Sequence, residues 1–233
     1  MKGIKFNGKH SFTDFNLILN SKEIGTASKK KIKVSVPFMN STYDFSTLGS
    51  NGEATYTQRG IDVKFTIVSY SKAKLHTEIT KIKAWLQDIS QQQLIFDDIK
   101  DYYFLAEAED GIEILESNNI AEITVKFIAE PFKTSVDYVG ADIWDTFNFE
   151  EDIIQTNTFD VVTTDTVNLY NYGRLIAPTI NCNASMNVIV GGITYNLVTG
   201  DNKIYGLKLL NGYNTIVING TGNIKFLYRK VNL

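Results

Sequence analysis

Cysteine is nearly absent from this chain of 233 residues, which has one cysteine, Cys182, and only three prolines. A single cysteine cannot close an intramolecular disulfide, and it cannot supply the ligands of a structural zinc site. The stability of the folded chain must therefore come from side-chain packing. The composition is otherwise that of a soluble folded protein, with 43% hydrophobic and 21% charged residues.

Long apolar runs are missing as well. The first twelve residues contain no apolar stretch of the roughly 7–15 residues that a secretory signal needs. No segment reaches the about 18 apolar residues of a membrane-spanning helix. We therefore expect a soluble protein that is made in the cytoplasm without a signal peptide.

A surplus of positive charge, which phosphate-binding surfaces need, is also absent. The net charge is −3: residues 1–133 carry 17 basic and 17 acidic side chains, and residues 134–233 carry 6 and 9. One basic cluster occurs, KKKIK at residues 29–33. A run of this kind is more typical of a solvated strand start than of a phosphate contact. Specific nucleic-acid binding is therefore disfavoured.

Alternating hydrophobicity predicts that the first half of the chain consists mainly of strands. In residues 61–70, Ile61, Val63, Phe65 and Ile67 alternate with polar residues, which is the period of a half-buried strand. Other segments rich in β-branched and aromatic residues predict strands at 12–19, 31–36, 93–96, 102–108 and 121–130.

One segment has helical spacing instead. Five apolar residues within 72–89 recur at steps of four, three, four and three, namely Leu75, Ile79, Ile82, Leu86 and Ile89. This spacing places them on one helical face, with the lysines and acids elsewhere. We predict a single helix in the chain, over about residues 72–89.

Pro131 marks the predicted boundary between two domains, because proline cannot continue a central ladder and restricts the residue before it. We place the domains at residues 1–133 and 134–233. Predicted elements of the second domain are strands at 175–184 and 203–210, a hairpin in 187–198 around Gly191–Gly192, and a hairpin in 214–230 turning at 219–222. This density of short strands predicts a β-sandwich, so the fold class is mainly β with one helix.

Histidine, serine and aspartate lie close together near the start of the chain, at His10, Ser11 and Asp14. A Ser–His nucleophile requires converging side chains and an oxyanion hole. On a strand, however, His10 and Ser11 point to opposite faces, and Asp14 is more simply explained by capping its own backbone. We therefore predict no catalytic residue here.

The remaining polar candidates indicate no reaction, metal or cofactor site. His76 lies on the polar side of the predicted helix and is expected to be solvated. The adjacent carboxylates at Asp97–Asp98 and 150–152 are interpreted as solvated charges, because glycoside hydrolysis needs two carboxyls roughly 5–10 Å apart, usually from separate elements. Trp85 is expected in the core, and Trp144 is expected to anchor the two domains or to offer a stacking surface.

Several motifs, taken in order, resemble the distal tail proteins of long-tailed bacteriophages and prophages. In the first domain these are FNGKHSFTDFNLIL (6–19), KKKIKVSVPFMNSTYDFS (29–46), TYTQRGIDVKFTI (55–67), the WL pair at 85–86 and ITVKFIAEPF (123–132). In the second domain they are NYGRLIAPTI (171–180) and LKLLNGYNTIVINGTGNIKFLY (207–228).

This resemblance implies a virion protein of the tail tip that has no enzymatic activity and no cofactor. The first domain would be a β-sandwich or split barrel of which six copies close into a ring, and the second a galectin-like or carbohydrate-module-like sandwich outside it. The ring would join the tail tube protein to the tail-associated lysin or spike protein, and DNA would pass through it without specific binding. Some relatives also carry receptor-binding proteins on an extension inserted in the second domain, but residues 134–233 show no such insertion.

Two other interpretations remain open. A carbohydrate-binding or receptor-binding module requires an exposed row of aromatic residues, whereas the tyrosines of the second domain are scattered along the sequence, at Tyr170, Tyr172, Tyr195, Tyr205 and Tyr213. Because function belongs to the site and not to the fold, a galectin-like sandwich does not by itself imply sugar binding. An enzyme acting on peptidoglycan is the third interpretation.

Overall fold

The structure is a computed structural model, and it describes residues 2–48, 50, 52–87, 89–109, 111–140 and 154–233. The chain divides into two compact units, Met1–Lys133 with Leu233, and Thr134–Asn232. Both consist mainly of β-strands, which confirms the predicted fold class. Among the described residues, no helix combines the length and the apolar character needed to cross a membrane.

The first unit is built on one antiparallel sheet. The strands of the first unit are β1 Ile4–Phe6, β2 Lys9–His10, β3 Ile18–Ile24, β4 Lys33–Ser35, β5 Thr42–Asp44, β6 Arg59–Val68, β7 Gln92–Phe96, β8 Tyr102–Ala108, β9 Glu113–Ser117 and β10 Ile120–Ser135. Its helices are α1 Ser11–Phe15, α2 Lys72–Leu86 and a 3-10 turn at Asp97–Ile99. The strand order is β2-β1-β7-β8-β10-β6-β3, with β9 also pairing with β10, while β4 and β5 form a separate ribbon.

Strands β6 and β10 form the longest ladder of this sheet. They pair over ten residues, from Ile120 opposite Val68 to Ala129 opposite Arg59. The period of two predicted for β6 is confirmed, because its odd-numbered apolar residues are buried and its even-numbered ones are not. Helix α2 buries its apolar stripe against the same core.

Trp85 joins α2 to the start of the chain, so its predicted place in the core is confirmed. Its ring stacks on Phe15 with centroids 4.6 Å apart and meets Phe6 edge-on at 6.2 Å. Its indole N–H donates to the Phe6 carbonyl at 2.9 Å. A buried indole with a satisfied N–H combines a large apolar area with a directional contact.

The prediction of a single helix is wrong, because α1 occupies residues assigned to a strand at 12–19. Helix α1 begins after His10, whose imidazole Nδ1 accepts from two backbone N–H groups, and it ends at Asn16, which has the left-handed φ of 55°. The predicted strand begins only at Ile18. Helix α2 also ends earlier than predicted, at Leu86, because Gln87 adopts an extended backbone conformation.

The predicted break at Pro131 is also wrong, since β10 continues to Ser135. The ladder with β6 ends at Ala129, so β6 does not require the N–H group that proline lacks. The carbonyl of Pro131 instead accepts from the buried guanidinium of Arg59.

The second unit is a sandwich of two four-stranded antiparallel sheets, as predicted. The eight strands of these sheets are β11 Thr158–Val161, β12 Thr164–Asn171, β13 Thr179–Cys182, β14 Met186–Val190, β15 Ile193–Leu197, β16 Gly200–Lys203, β17 Gly212–Asn219 and β18 Gly222–Leu227. The short strand β19 Val231–Asn232 belongs to neither sheet. The sheets have the orders β11-β18-β13-β16 and β12-β17-β14-β15. Buried side chains from both sheets form one core.

One predicted hairpin of this unit is confirmed and the other is wrong. Strands β14 and β15 turn at Gly191 and Gly192, whose φ values of 58° and 80° suit a tight two-residue turn. Strands β17 and β18, in contrast, belong to different sheets. The turn between them carries the chain across the sandwich, with φ of 139° at Gly220 and 148° at Gly222. These positive values favour glycine.

The predicted strand at 203–210 is likewise wrong. Strand β16 ends at Lys203, and beyond it a single isolated bridge joins Leu209 to Ile176. Leu207 and Leu209 still fill the core, but from irregular backbone that follows the turn at 205–206. The apolar character of this segment therefore reflects burial and not a strand.

Two polar side chains in the core of the second unit form hydrogen bonds with backbone carbonyls. The Cys182 thiol donates to the Val198 carbonyl at 3.1 Å, and burial raises the pKa of this thiol. The Tyr228 hydroxyl donates to the Tyr170 carbonyl at 2.9 Å, and burial raises its pKa to about 12. Both residues therefore act as core residues at neutral pH.

We expect Trp85→Ala to lower the free energy of unfolding by about 3–5 kcal/mol, because it opens a cavity and leaves the Phe6 carbonyl without its donor. Urea unfolding followed by circular dichroism measures the change. Tyr70→Ala is the matched control, since Tyr70 is an aromatic residue that is 92% exposed just before the same helix. Equal losses for the two variants would contradict the role assigned to Trp85.

Candidate interaction surfaces

The fold brings a histidine, a serine and two aspartates together at the start of the chain. The Nδ1 atom of His10 accepts from the N–H groups of Phe12 and Thr13, at 3.2 and 3.3 Å. Its Nε2 lies 3.1 Å from the carboxylate of Asp97, which follows β7. Because Nδ1 accepts hydrogen bonds, the ring proton is on Nε2, and Nε2 donates a hydrogen bond to the Asp97 carboxylate.

Ser11 and Asp14 complete this cluster through backbone contacts. Ser11 is fully buried, and its Oγ accepts from the N–H of Ile4 at 3.0 Å. The Asp14 carboxylate accepts from the His10 N–H at 2.6 Å, so the predicted capping role of Asp14 is confirmed. The Gly3 N–H donates to Asp97 at 2.6 Å.

These contacts make a structural clamp and not a nucleophilic site. Both nitrogens of His10 are occupied by structural partners, so neither is available as a base for Ser11. The space beside His10 and Ser11 is also filled, because a Cβ atom on Gly3 would lie 2.7 Å from both the His10 ring and the Ser11 Oγ. The clamp instead fastens β1 and α1 to the end of β7.

Asp97 and Asp98 are both exposed to solvent, in agreement with their interpretation as solvated charges, and each also has a structural partner. Asp97 belongs to the clamp, and Asp98 forms an ion pair with Lys22. The hydrogen bond from Lys22 is the main cause of a lowered pKa at Asp98. Asp98 is therefore ionised at neutral pH and ties β3 to the turn after β7.

The other candidates from the sequence fall into two groups. The side chain of His76 is 63% exposed, which confirms that it is solvated. Trp144 and the carboxylates at 150–152 lie outside the described residues. Within the described part of the chain, no group of three or more histidine, cysteine or acidic residues is placed to hold a metal ion.

A projecting segment at residues 28–57, here called the arm, has the most exposed apolar surface of the first unit. It contains the ribbon of β4 and β5, in which Val34 pairs with Tyr43. Alternation places five exposed apolar side chains on one face of this ribbon: Ile32, Val34, Val36, Tyr43 and Phe45. Phe38 at the turn is fully exposed.

Four lysines lie at the base and on the opposite face of the arm, where Asp44 stands across from Lys33. Lys31 and Lys33 alternate with the apolar residues, and Lys29 and Lys30 precede them. All four lysines are exposed, so the interpretation of 29–33 as a solvated run is confirmed. An isolated two-stranded ribbon is only marginally stable in water, and exposed apolar surface of this extent marks an interaction site.

A second apolar surface, here called the patch, lies where β10 begins between β9 and β6. Exposed Leu115, Ile120 and Val68 form its apolar part, with Ile120 directly opposite Val68 in the ladder. Glu116 and Glu122 flank it, and a hollow of about 400 Å³ is lined by Leu115, Ile120 and these two acids with Ser117. The patch is thus apolar and acidic, whereas the arm is apolar and basic.

Three tyrosines that are scattered in the sequence meet in the second unit. Tyr170 on β12 is paired with Tyr213 on β17, with ring centroids 4.8 Å apart and nearly perpendicular planes. Tyr172 stands 5.2 Å from Tyr170 in the same edge-on manner. Tyr195 lies apart from them, hydrogen-bonded to Gly206, and Tyr205 lies on a turn.

The fold is that of a two-unit β protein whose first unit carries two exposed apolar surfaces. Residues 9–129 match the model of the family described as phage tail protein RIFT-related domain. The match spans more than half of the chain, and the protein therefore belongs to this family of phage tail proteins. No curated protein matches the sequence.

Solved structures agree with this assignment at the level of the fold. The whole chain aligns with the whole of SPP1 Dit (gp 19.1), described as a paradigm of the hub adsorption apparatus in phages that infect Gram-positive bacteria, at 14% identity and a TM-score of 0.68. The resemblance to distal tail proteins is thereby confirmed. A chain of the phage P2 baseplate in its activated conformation with Ca matches at 8% identity and a TM-score of 0.43, over 99% of this chain and 98% of the other.

We expect His10→Ala to lower the free energy of unfolding by about 1–2 kcal/mol, because α1 loses its N-terminal cap and Asp97 loses a donor. Thermal and urea unfolding of the full chain measure the loss. His76→Ala removes a solvated histidine and should change stability by less than about 0.5 kcal/mol. Two equal effects would show that His10 is not part of a clamp.

Proposed function

We propose that this chain is the hub subunit of a phage tail tip. Six copies close into a ring that joins the tail tube to the tail-associated lysin or spike protein, and the phage DNA passes through the opening. Membership of a phage tail protein family and the full-length likeness to the fold of a hub protein support this role. The number of copies rests on the resemblance to distal tail proteins.

One observation carries the self-association step: the arm and the patch are both exposed apolar surfaces and lie at opposite ends of β6. The arm leaves the sheet beside Arg59, at the start of β6, where Gly25 bonds to Gly60. The patch begins at Val68, at the end of β6. At about 3.3 Å per residue the ten-residue strand separates them by roughly 30 Å.

This separation favours contact between copies over contact within one copy. The arm of one protomer would cover the patch of the next, burying the Val34 face of the ribbon against Leu115 and Ile120. Lys31 and Lys33 lie on the face of the ribbon opposite Val34 and would remain in solvent, so the contact would be mainly apolar. A contact between two different surfaces is head-to-tail, and its repetition closes a ring when the rotation between neighbours divides the circle.

The role in the tail is tested in a phage that carries this gene. Inactivation of the gene should yield particles whose tails lack a tip and do not infect. Supply of the protein in trans should restore both. Complete and infectious tails without this subunit would overturn the proposed function, whatever the outcome of the experiments on the isolated protein.

The arm-to-patch contact is tested by placing a charge on each surface. Val34→Asp on the arm and Leu115→Asp on the patch should each abolish self-association of the purified protein, measured by light scattering and native mass spectrometry. A mixture of the two variants should form heterodimers and nothing larger, because one intact arm and one intact patch remain. An isologous contact would give no such pairing.

Val162→Asp provides the matched control, since Val162 is 76% exposed in the second unit and belongs to neither surface. This variant should associate as the unchanged protein does. Assembly that survives both Val34→Asp and Leu115→Asp would contradict the arm-to-patch contact while leaving the tail role to be judged by the phage experiment.

For DNA to pass through the proposed ring, the protein that lines the channel must not bind DNA tightly. The first unit has 17 basic and 17 acidic side chains, so it lacks the excess of lysine and arginine that drives binding through counterion release. We expect the protein to bind duplex DNA with a Kd weaker than about 1 µM at low salt, where such binding is strongest. A fluorescence anisotropy titration measures it, and tighter binding would contradict an inert channel.

A further inference from the structure

The outward face of the sheet β12-β17-β14-β15 carries no charged side chain. Its alternate residues point away from the core, as shown by the burial of Val167, Leu169, Ile216 and Val188 on the other side. The outward positions are filled by threonine, asparagine and tyrosine with two β-branched aliphatic residues. Acids and lysines of this unit lie elsewhere.

Tyrosines form a corner at one end of this face. Tyr213 is 78% exposed and meets Tyr170 at an interplanar angle of 72°, so that one ring forms a floor and the other a wall. A cross-strand aromatic pair contributes to the stability of the sheet. The exposure of Tyr213 also leaves its ring accessible to a ligand.

Hydrogen-bonding groups beside the corner remain available. In the next outward pair, Thr215 donates to the Asn168 side-chain oxygen at 2.8 Å. This bond fixes the amide and leaves its two N–H donors without a partner among the described residues. The hydroxyls of Tyr170 and Tyr213 are also without partners there, so a row of oriented donors and acceptors adjoins an aromatic surface.

This chemistry matches a neutral oligosaccharide better than other ligands. A sugar ring presents C–H groups on one face, which pack on an aromatic ring, and hydroxyls at its rim, which pair with amides and hydroxyls. An anionic polymer would find no lysine or arginine on this face to pair with. Tyrosine supplies contact area at a low cost in conformational entropy, and asparagine supplies adaptable hydrogen bonding, so both are common in recognition surfaces.

We propose that this face, centred on Tyr170, Tyr213 and Asn168, binds a neutral oligosaccharide. The site goes beyond the proposed hub role and shares no residue with the arm or the patch. Tyr213 supplies the stacking surface, and Tyr170 closes one side of it. The Asn168 amide selects ligands that carry a hydroxyl next to the stacked ring.

The full-length protein is to be screened against immobilised neutral hexasaccharides of glucose, galactose and N-acetylglucosamine, with heparin and polygalacturonate hexasaccharides as anionic counterparts. The best neutral binder is then titrated by NMR up to millimolar concentration, so that weak binding is detected. We expect retention of at least one neutral glycan and of neither anionic one.

Substitutions locate the site. Tyr213→Ala and Asn168→Ala should each weaken binding by about tenfold, the scale of one aromatic contact or one buried hydrogen bond. Tyr213→Phe retains the stacking surface and should stay within about threefold of the unchanged protein. Tyr205→Ala is the matched control, because Tyr205 is 75% exposed on a turn of the same unit and should leave binding unchanged.

Three outcomes would overturn the proposal: no neutral glycan retained above the level of Tyr213→Ala, a preference for the anionic glycans, or equal losses in Tyr213→Ala and Tyr205→Ala. Self-association of each variant is measured in parallel. Loss of glycan binding with intact assembly separates this site from the hub role, and intact glycan binding by Val34→Asp separates the hub role from this site.

Discussion

The antiparallel ladder between β6 and β10 is the constraint on which the first unit depends. Its ten residue pairs are continuous, and side chains from both strands alternate into one core. Because a slip by one residue would turn Phe65 and Ile123 towards solvent, the register is strongly fixed. The two ends of the ladder are therefore held at a constant separation. The arm at one end and the patch at the other inherit that separation, so geometry relevant to assembly is set by burial in the core.

Sequence periodicity predicted the elements that are long and buried on one face, such as β6 and most of α2. It missed α1, because five residues hold little periodic signal and because His10 is not among the residues that usually cap helices. It predicted that β10 ends at Pro131, because a sequence does not show which edge of a strand is unpaired at a given residue. Turn chemistry identified the bend at 219–222 but could not tell whether the following strand rejoins the same sheet.

The sites depend on contacts between distant residues, which local patterns do not report. His10, Ser11 and Asp14 are recognisable in the sequence, but the residue that completes their cluster is Asp97, 87 positions from His10. Tyr170 and Tyr213 meet only through the register of β12 and β17. In the arm, the sequence pattern predicts burial that the structure does not show. Ile32, Val34 and Val36 alternate like a half-buried strand, and in the structure this face is exposed.

A ribbon that is barely stable by itself has a further consequence for assembly. In the proposed ring, ordering such a segment on contact would consume part of the interaction energy, so each arm-to-patch contact would be weaker than its area suggests. Weak single contacts would let a wrongly placed subunit leave again, while closure of the circle would give every subunit two contacts at once. The marginal stability of the arm would thus act as proofreading: partial arcs would stay reversible, and only the finished circle would be long-lived.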